Sequence, residues 1–93
     1  MIANHHIAPI SMTRHAQCRQ KQRSIPTAVI EALLEFGERR QAGHGSESVY
    51  FTKKSWKKLA SYMGAAIKGF EGYRSCYLIE GSDGAIITAA YRH

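Results

Sequence analysis

His15, Arg19 and Arg23 recur at every fourth position of the chain. On a regular helix that spacing lines three polar side chains along one stripe. Two guanidiniums can hold a phosphate through paired, charge-assisted hydrogen bonds, and an imidazole beside them can move a proton near neutral pH. These are the parts of a phosphodiester site that needs no metal. The same residue types also populate any solvated helix face, so the stripe reads equally as exposed surface.

Lys53, Lys54, Lys57 and Lys58 form the densest run of charge, with Tyr50, Trp56 and Tyr62 nearby. With Arg14 they can follow a nucleic-acid backbone while an aromatic ring stacks on a base. Their alternative is a solvated helix face, and Trp56 belongs by spacing to an apolar stripe. Thr88, Tyr91, Arg92 and His93 close the chain and bring a further cation and proton donors.

Other chemistries find little support. No Gly-rich phosphate loop sits between a strand and a helix. The single aspartate, Asp83, lies in a turn-like Gly-Ser-Asp-Gly stretch, which argues against a paired-carboxylate metal nuclease. The five histidines and two cysteines lack metal-ligand spacing, so neither a metal nor a cofactor is expected. Cys18 and Cys76 form no CxxC pair and read as free thiols in a reducing compartment. No signal peptide is visible and no apolar run is long enough for a bilayer. The expectation is a cytoplasmic protein without a membrane partner.

The elements that must position these residues follow from hydrophobic periodicity. Residues 1–10 read as a tail or edge segment and residues 11–93 as one domain. Ser11 or Thr13 caps a first helix over 14–23, which has almost no apolar face. Ser24 suits the N-cap of a second helix, with Pro26 in its first turn and Gly37 beyond its end. Ile25, Val29, Leu33 and Phe36 mark its core stripe, and Glu31, Glu35 and Glu38 its exposed side. Gln41 to Ser48 reads as a loop and 49–52 as a short strand. A third helix spans 54–63, followed by an irregular stretch over 65–72. Two strands, 73–80 and 85–92, are joined by Gly81-Ser82-Asp83-Gly84. The sum is an α+β fold, with helices on one face of a small antiparallel sheet that ends in a β-hairpin.

Thirteen Lys and Arg against seven Asp and Glu give a net charge of +6, a field that attracts phosphate-rich partners. RNA or another nucleic acid is therefore the expected partner.

Thr13-Arg14-His15-Ala16 followed by Arg19, Arg23, Ile25 and Pro26 resembles the "HA…R…R-x-I" opening of a bacterial family of small domains of unknown function. Val49-Tyr50-Phe51 with Lys53-Lys54 is similar to its central segment. Asp83-Gly84, Ile86-Ile87-Thr88 and Tyr91-Arg92 are similar to its closing "DG-x-I-I-T…R" strand. Members of that family are similar to RelE- and BrnT-like toxins of toxin–antitoxin systems. The resemblance implies a RelE-like fold, metal-independent endoribonuclease activity and an acidic antitoxin partner. It places His15, Arg19, Arg23, Thr88 and Arg92 at the family's polar positions. In that reading Arg19, Arg23 and Arg92 hold the scissile phosphate, His15 serves as general base or acid for attack by the ribose 2′-hydroxyl, and Tyr91 or His93 supplies the complementary group. The alternative is a non-catalytic module that binds nucleic acid or protein.

Overall fold

The computed structural model describes residues 10–92. The expected tail over 1–9 and the terminal His93 lie outside the described residues. Helix α1, Arg14–Gln22, starts where Thr13 accepts a hydrogen bond from the Ala16 amide at 3.1 Å. Of its residues Ala16 alone is buried, as its polar sequence requires. Ser24 is not the cap of the next helix. It sits at φ 51° in the left-handed region as the link between helices, and Pro26 takes the N-cap of α2, Thr27–Phe36. Gln20 fixes this corner by donating through Nε2 to the Ile25 carbonyl at 2.9 Å and to Thr27 Oγ1 at 3.2 Å. Ile25, Val29, Ile30 and Leu33 are buried, so the expected core stripe is present.

At Gly37 the chain leaves α2 against the sheet. A Cβ there would stand 2.6 Å from the Leu33 carbonyl and 2.9 Å from the Val49 side chain. Glu38 therefore opens a strand and is not on the helix. Strand β1, Glu38–Gly43, pairs antiparallel with β2, Ser46–Tyr50. The stretch 41–48, expected as a loop, is thus the tip of a hairpin. Gly43, His44 and Gly45 all have positive φ at that tip, the backbone that tight hairpin turns demand.

Helix α3, Lys53–Met63, begins with a capping box between Thr52 and Ser55. Trp56 and Leu59 are buried, with Phe51 edge-on to Trp56 at 5.0 Å. A 3-10 helix over Gly64–Tyr73 follows where the sequence read as irregular. Strands β3, Cys76–Glu80, and β4, Ile86–Tyr91, form the closing hairpin, whose loop is tied by Asp83 accepting from the Ala85 amide at 3.0 Å.

The sheet has the order β1-β2-β3-β4, antiparallel throughout. Val49, Cys76, Leu78 and Ala89 turn to one face of the sheet, where they are buried in a single core with Ala16, Leu33, Trp56 and Leu59. The register breaks between Ile79 and Glu80 opposite Ile86 and Thr88. This bulge puts Ile86 on the buried side with Ala89 and leaves Ile87 exposed, where strict alternation placed Ile86 with Thr88. The architecture is the expected α+β one.

Two substitutions test this account by chemical denaturation. Gly37→Ala is expected to cost about 2 kcal/mol or more, because backbone and Val49 must both give way. Ser24→Gly is expected to add roughly 1 kcal/mol by relieving the left-handed serine.

Candidate nucleic-acid interface

Antiparallel pairing sorts the sheet into two faces, and the side chains of the second are all at least partly exposed, with no helix over them among the described residues. The register places Tyr50, Tyr77 and Ala90 side by side across β2, β3 and β4. The neighbouring row holds Arg40, Ser48, Ile79 and Thr88. Arg92 follows β4 on the same side, its amide bonded to the Ser75 carbonyl at 2.8 Å.

Two guanidiniums meet one ring on this face. Arg40 lies 5.7 Å and Arg92 5.2 Å from the centre of Tyr50, within cation–π range. Arg92 also donates to the Phe51 carbonyl at 3.3 Å. Both cations are held in place before any ligand arrives. They border a cavity of about 500 Å³ lined with Ser48, Tyr50, Tyr77 and Tyr91.

The Phe51 carbonyl that holds Arg92 lies two residues ahead of Lys53, the first residue of α3. Lys53, Lys54, Lys57 and Lys58 are exposed, and none forms an ion pair among the described residues. Trp56 takes no part in this surface, being core, with Arg74 5.3 Å from its ring. Tyr62 is exposed but leans on Phe36 at 5.3 Å.

The first helix runs beside β4. Thr13 bonds to the Ile86 and Ile87 carbonyls at one end. At the other, Arg23 Nη1 donates to the Ala89 carbonyl at 3.4 Å and the Tyr91 hydroxyl donates to the Arg23 carbonyl at 3.3 Å. Of the expected stripe, His15 and Arg19 meet, while Arg23 lies past the end of α1: Arg19 Nε donates to His15 Nε2 at 3.4 Å and Arg19 Nη1 to Gln22 at 3.2 Å. His15 belongs to the Ile87 end of β4 and Arg92 lies five residues further along, a distance on the order of 16 Å in a strand. His15 and Arg19 are brought together, and Arg23 ties down the strand edge. Arg92 joins Arg40 around Tyr50 instead, and the four do not converge on one phosphate. Arg14 is exposed elsewhere on α1, lining a shallow depression with Cys18 and Lys21. Thr88 sits on the open face, one strand position before the carbonyl that Arg23 binds.

The remaining titratable groups are structural. Burial pushes the Cys76 thiol up to about 11, outweighing a hydrogen bond with Tyr91 that favours the thiolate. Burial, and then the neighbouring Cys76 and Tyr73, raise the Tyr91 hydroxyl as well, and its hydrogen bond to Arg23 occupies it. Arg39, on the covered face, binds Glu80 and Glu47, the latter at 3.1 Å. The Glu80 hydrogen bond is the main reason its guanidinium is raised, and its charge is offset locally. Among the described residues no cluster of three or more His, Cys, Asp or Glu can hold a metal, and no helix is long and apolar enough to cross a membrane.

Arg40 and Tyr77 escape a reading along the chain. Arg40 lies in the stretch that looks like a helix end and loop, and Tyr77 meets Tyr50 only through strand register. The one available signal is alternation: Tyr77 falls opposite the apolar Cys76 and Leu78.

No family model matches the chain, and no match was found among curated proteins or solved structures.

The thiols give a direct check. Cys18 is exposed and Cys76 buried, both unpaired. Ellman's reagent at pH 8 is expected to titrate one thiol in the native protein and the second only after denaturation. Because the Cys76 thiol is raised by folding, its contribution to stability is complete below pH 9 and lost as pH rises through about 11. Denaturation midpoints should fall across that window, and Cys76→Ser should flatten the fall.

Proposed function

We propose that the protein is a nucleic-acid-binding domain, with RNA as its partner, that holds the strand on the open face of its sheet. The observation that carries this reading is the pair of guanidiniums fixed against Tyr50 on a face that no helix among the described residues covers. Phosphates bind such cations through directed hydrogen bonds, and the exposed lysines of α3 extend the positive rail beyond Arg92. The net charge of +6 supplies the long-range attraction. Fluorescence anisotropy with a labelled single-stranded RNA, read at rising salt, tests it. Affinity is expected to fall linearly on logarithmic axes, and Arg92→Ala to reduce that slope by about one. Absence of binding at low salt, or indifference to both Arg40→Ala and Arg92→Ala, would refute the reading.

The contact between Arg19 and His15 favours a second reading, metal-independent RNA cleavage by a toxin-type protein. His15 would then act as general acid or base toward the 2′-hydroxyl, with Arg19 and Arg23 stabilising the phosphate charge, while Arg92 binds the strand. An acidic antitoxin-like protein would compete for the same positive surface. RNA is to be incubated in the presence of a chelator. Cleavage by the wild type, reduced at least about 100-fold in His15→Ala, is the expected outcome. An intact substrate with wild type, or equal cleavage by both proteins, removes the mechanism.

A further inference from the structure

The open face carries more than positive charge, because its guanidiniums stand at the rim of a cavity. We infer that the cavity lined by Arg40, Ser48, Tyr50, Tyr77 and Arg92 receives one unpaired nucleotide, so that the domain selects single strands over duplex. This inference rests on the nucleic-acid reading above and deepens it.

At about 500 Å³ the cavity is an open basin on the sheet, with room for one nucleotide. Its chemistry is divided. Arg40 and Arg92 offer bidentate donors to a phosphate. Tyr50 already spends its ring on those two cations, so the stacking surface left for a base is the half-buried ring of Tyr77, next to it across the strand pair. The Ser48 hydroxyl is a small adaptable donor and acceptor in the neighbouring row. Tyr91 adds wall but no polar tip, since its hydroxyl binds the Arg23 carbonyl.

A ring and two cations in one cavity make different demands on single and double strands. Phosphates of either can reach the guanidiniums at the rim. Only a base released from its own stack can lie on Tyr77, and aromatic stacking of that kind contributes about tenfold or more in affinity per base. A duplex would have to unstack to match it. Ring stacking tolerates any base, so the selection is for strand state and not for sequence.

The test measures anisotropy of one 12-nucleotide RNA, alone and annealed to its complement, at fixed moderate salt. The single strand is expected to bind at least about tenfold more tightly. Tyr77→Leu should lose about that factor for the single strand and leave duplex binding unchanged, whereas Tyr77→Phe should keep it. Tyr77→Val, which removes the ring and keeps a β-branched side chain in the strand, should abolish the preference in the same way and serves if Tyr77→Leu does not fold. Uridine monophosphate should compete only at millimolar concentration, and displacement at micromolar levels would assign the pocket to a free nucleotide and overturn the strand inference. Equal binding of both RNA forms, or equal weakening of both by Tyr77→Leu, would also overturn it while leaving the open face a nucleic-acid surface. Binding of neither form would instead remove the underlying reading.

Discussion

The turn out of α2 passes so close to β2 that position 37 has no room for a side chain. A single Cβ would meet the Leu33 carbonyl, the Val49 side chain and the Tyr50 carbonyl at once. This contact fixes where α2 lies on the sheet, and hence which face is covered. Val49 is fully buried beneath it, and strand alternation then sends the next residue, Tyr50, to the other side. The ring that organises Arg40 and Arg92 lies on the open face, half-buried, because its neighbour is packed under the helix. Stability and the candidate site are two faces of one strand, so a substitution that loosens α2 reaches the ring through the register of β2.

The charge of the chain resolves into parts with different roles. Arg39 and Arg40 are adjacent, yet strand alternation sends them apart. Arg39 binds Glu47 and Glu80 on the covered side, where two carboxylates face each other across paired strands. Arg40 goes to the open face and a tyrosine ring. Arg23 spends a donor on a strand carbonyl. The lysines of α3, like Arg14, Lys21 and Lys68, form no ion pair among the described residues. A net charge counts all of these equally, although the fold engages them very unequally.

Much of the fold was legible in the residues. The core stripe of α2, the amphipathic α3, the closing hairpin and Trp56 as core all follow from period and turn chemistry. β1 was hidden because Glu38-Arg39-Arg40-Gln41 shows no apolar alternation; an edge strand open to solvent on most of its length needs none, and charges there discourage pairing with other chains. Ser24 reads as a cap from its type, but its hydroxyl is not used that way, since the corner is set by Gln20 and the strained backbone. The site was legible only in pieces. Spacing on one helix found the contact of His15 with Arg19, because both partners lie within a turn. Arg40, Tyr50, Tyr77 and Arg92 come from four segments, and their meeting depends on strand register, which no local pattern encodes. The bulge at Ile86 is likewise invisible until the strands pair.

The cover that α1 places over β4 differs in kind from the rest of the sheet. Each strand pairs with its neighbour along the chain, so the ladders close through short or moderate loops. The bonds joining α1 to β4 span 66 to 74 residues. Long loops close slowly, and contacts of that separation limit the rate of folding. During synthesis α1 emerges before β4 and must wait for that strand to be made. Until then its polar surface has no partner, which its sequence tolerates well, since Ala16 is the only residue of the helix that becomes fully buried. The nearly all-polar character of α1, uninformative as a packing signal, suits a helix that is made early and docked late.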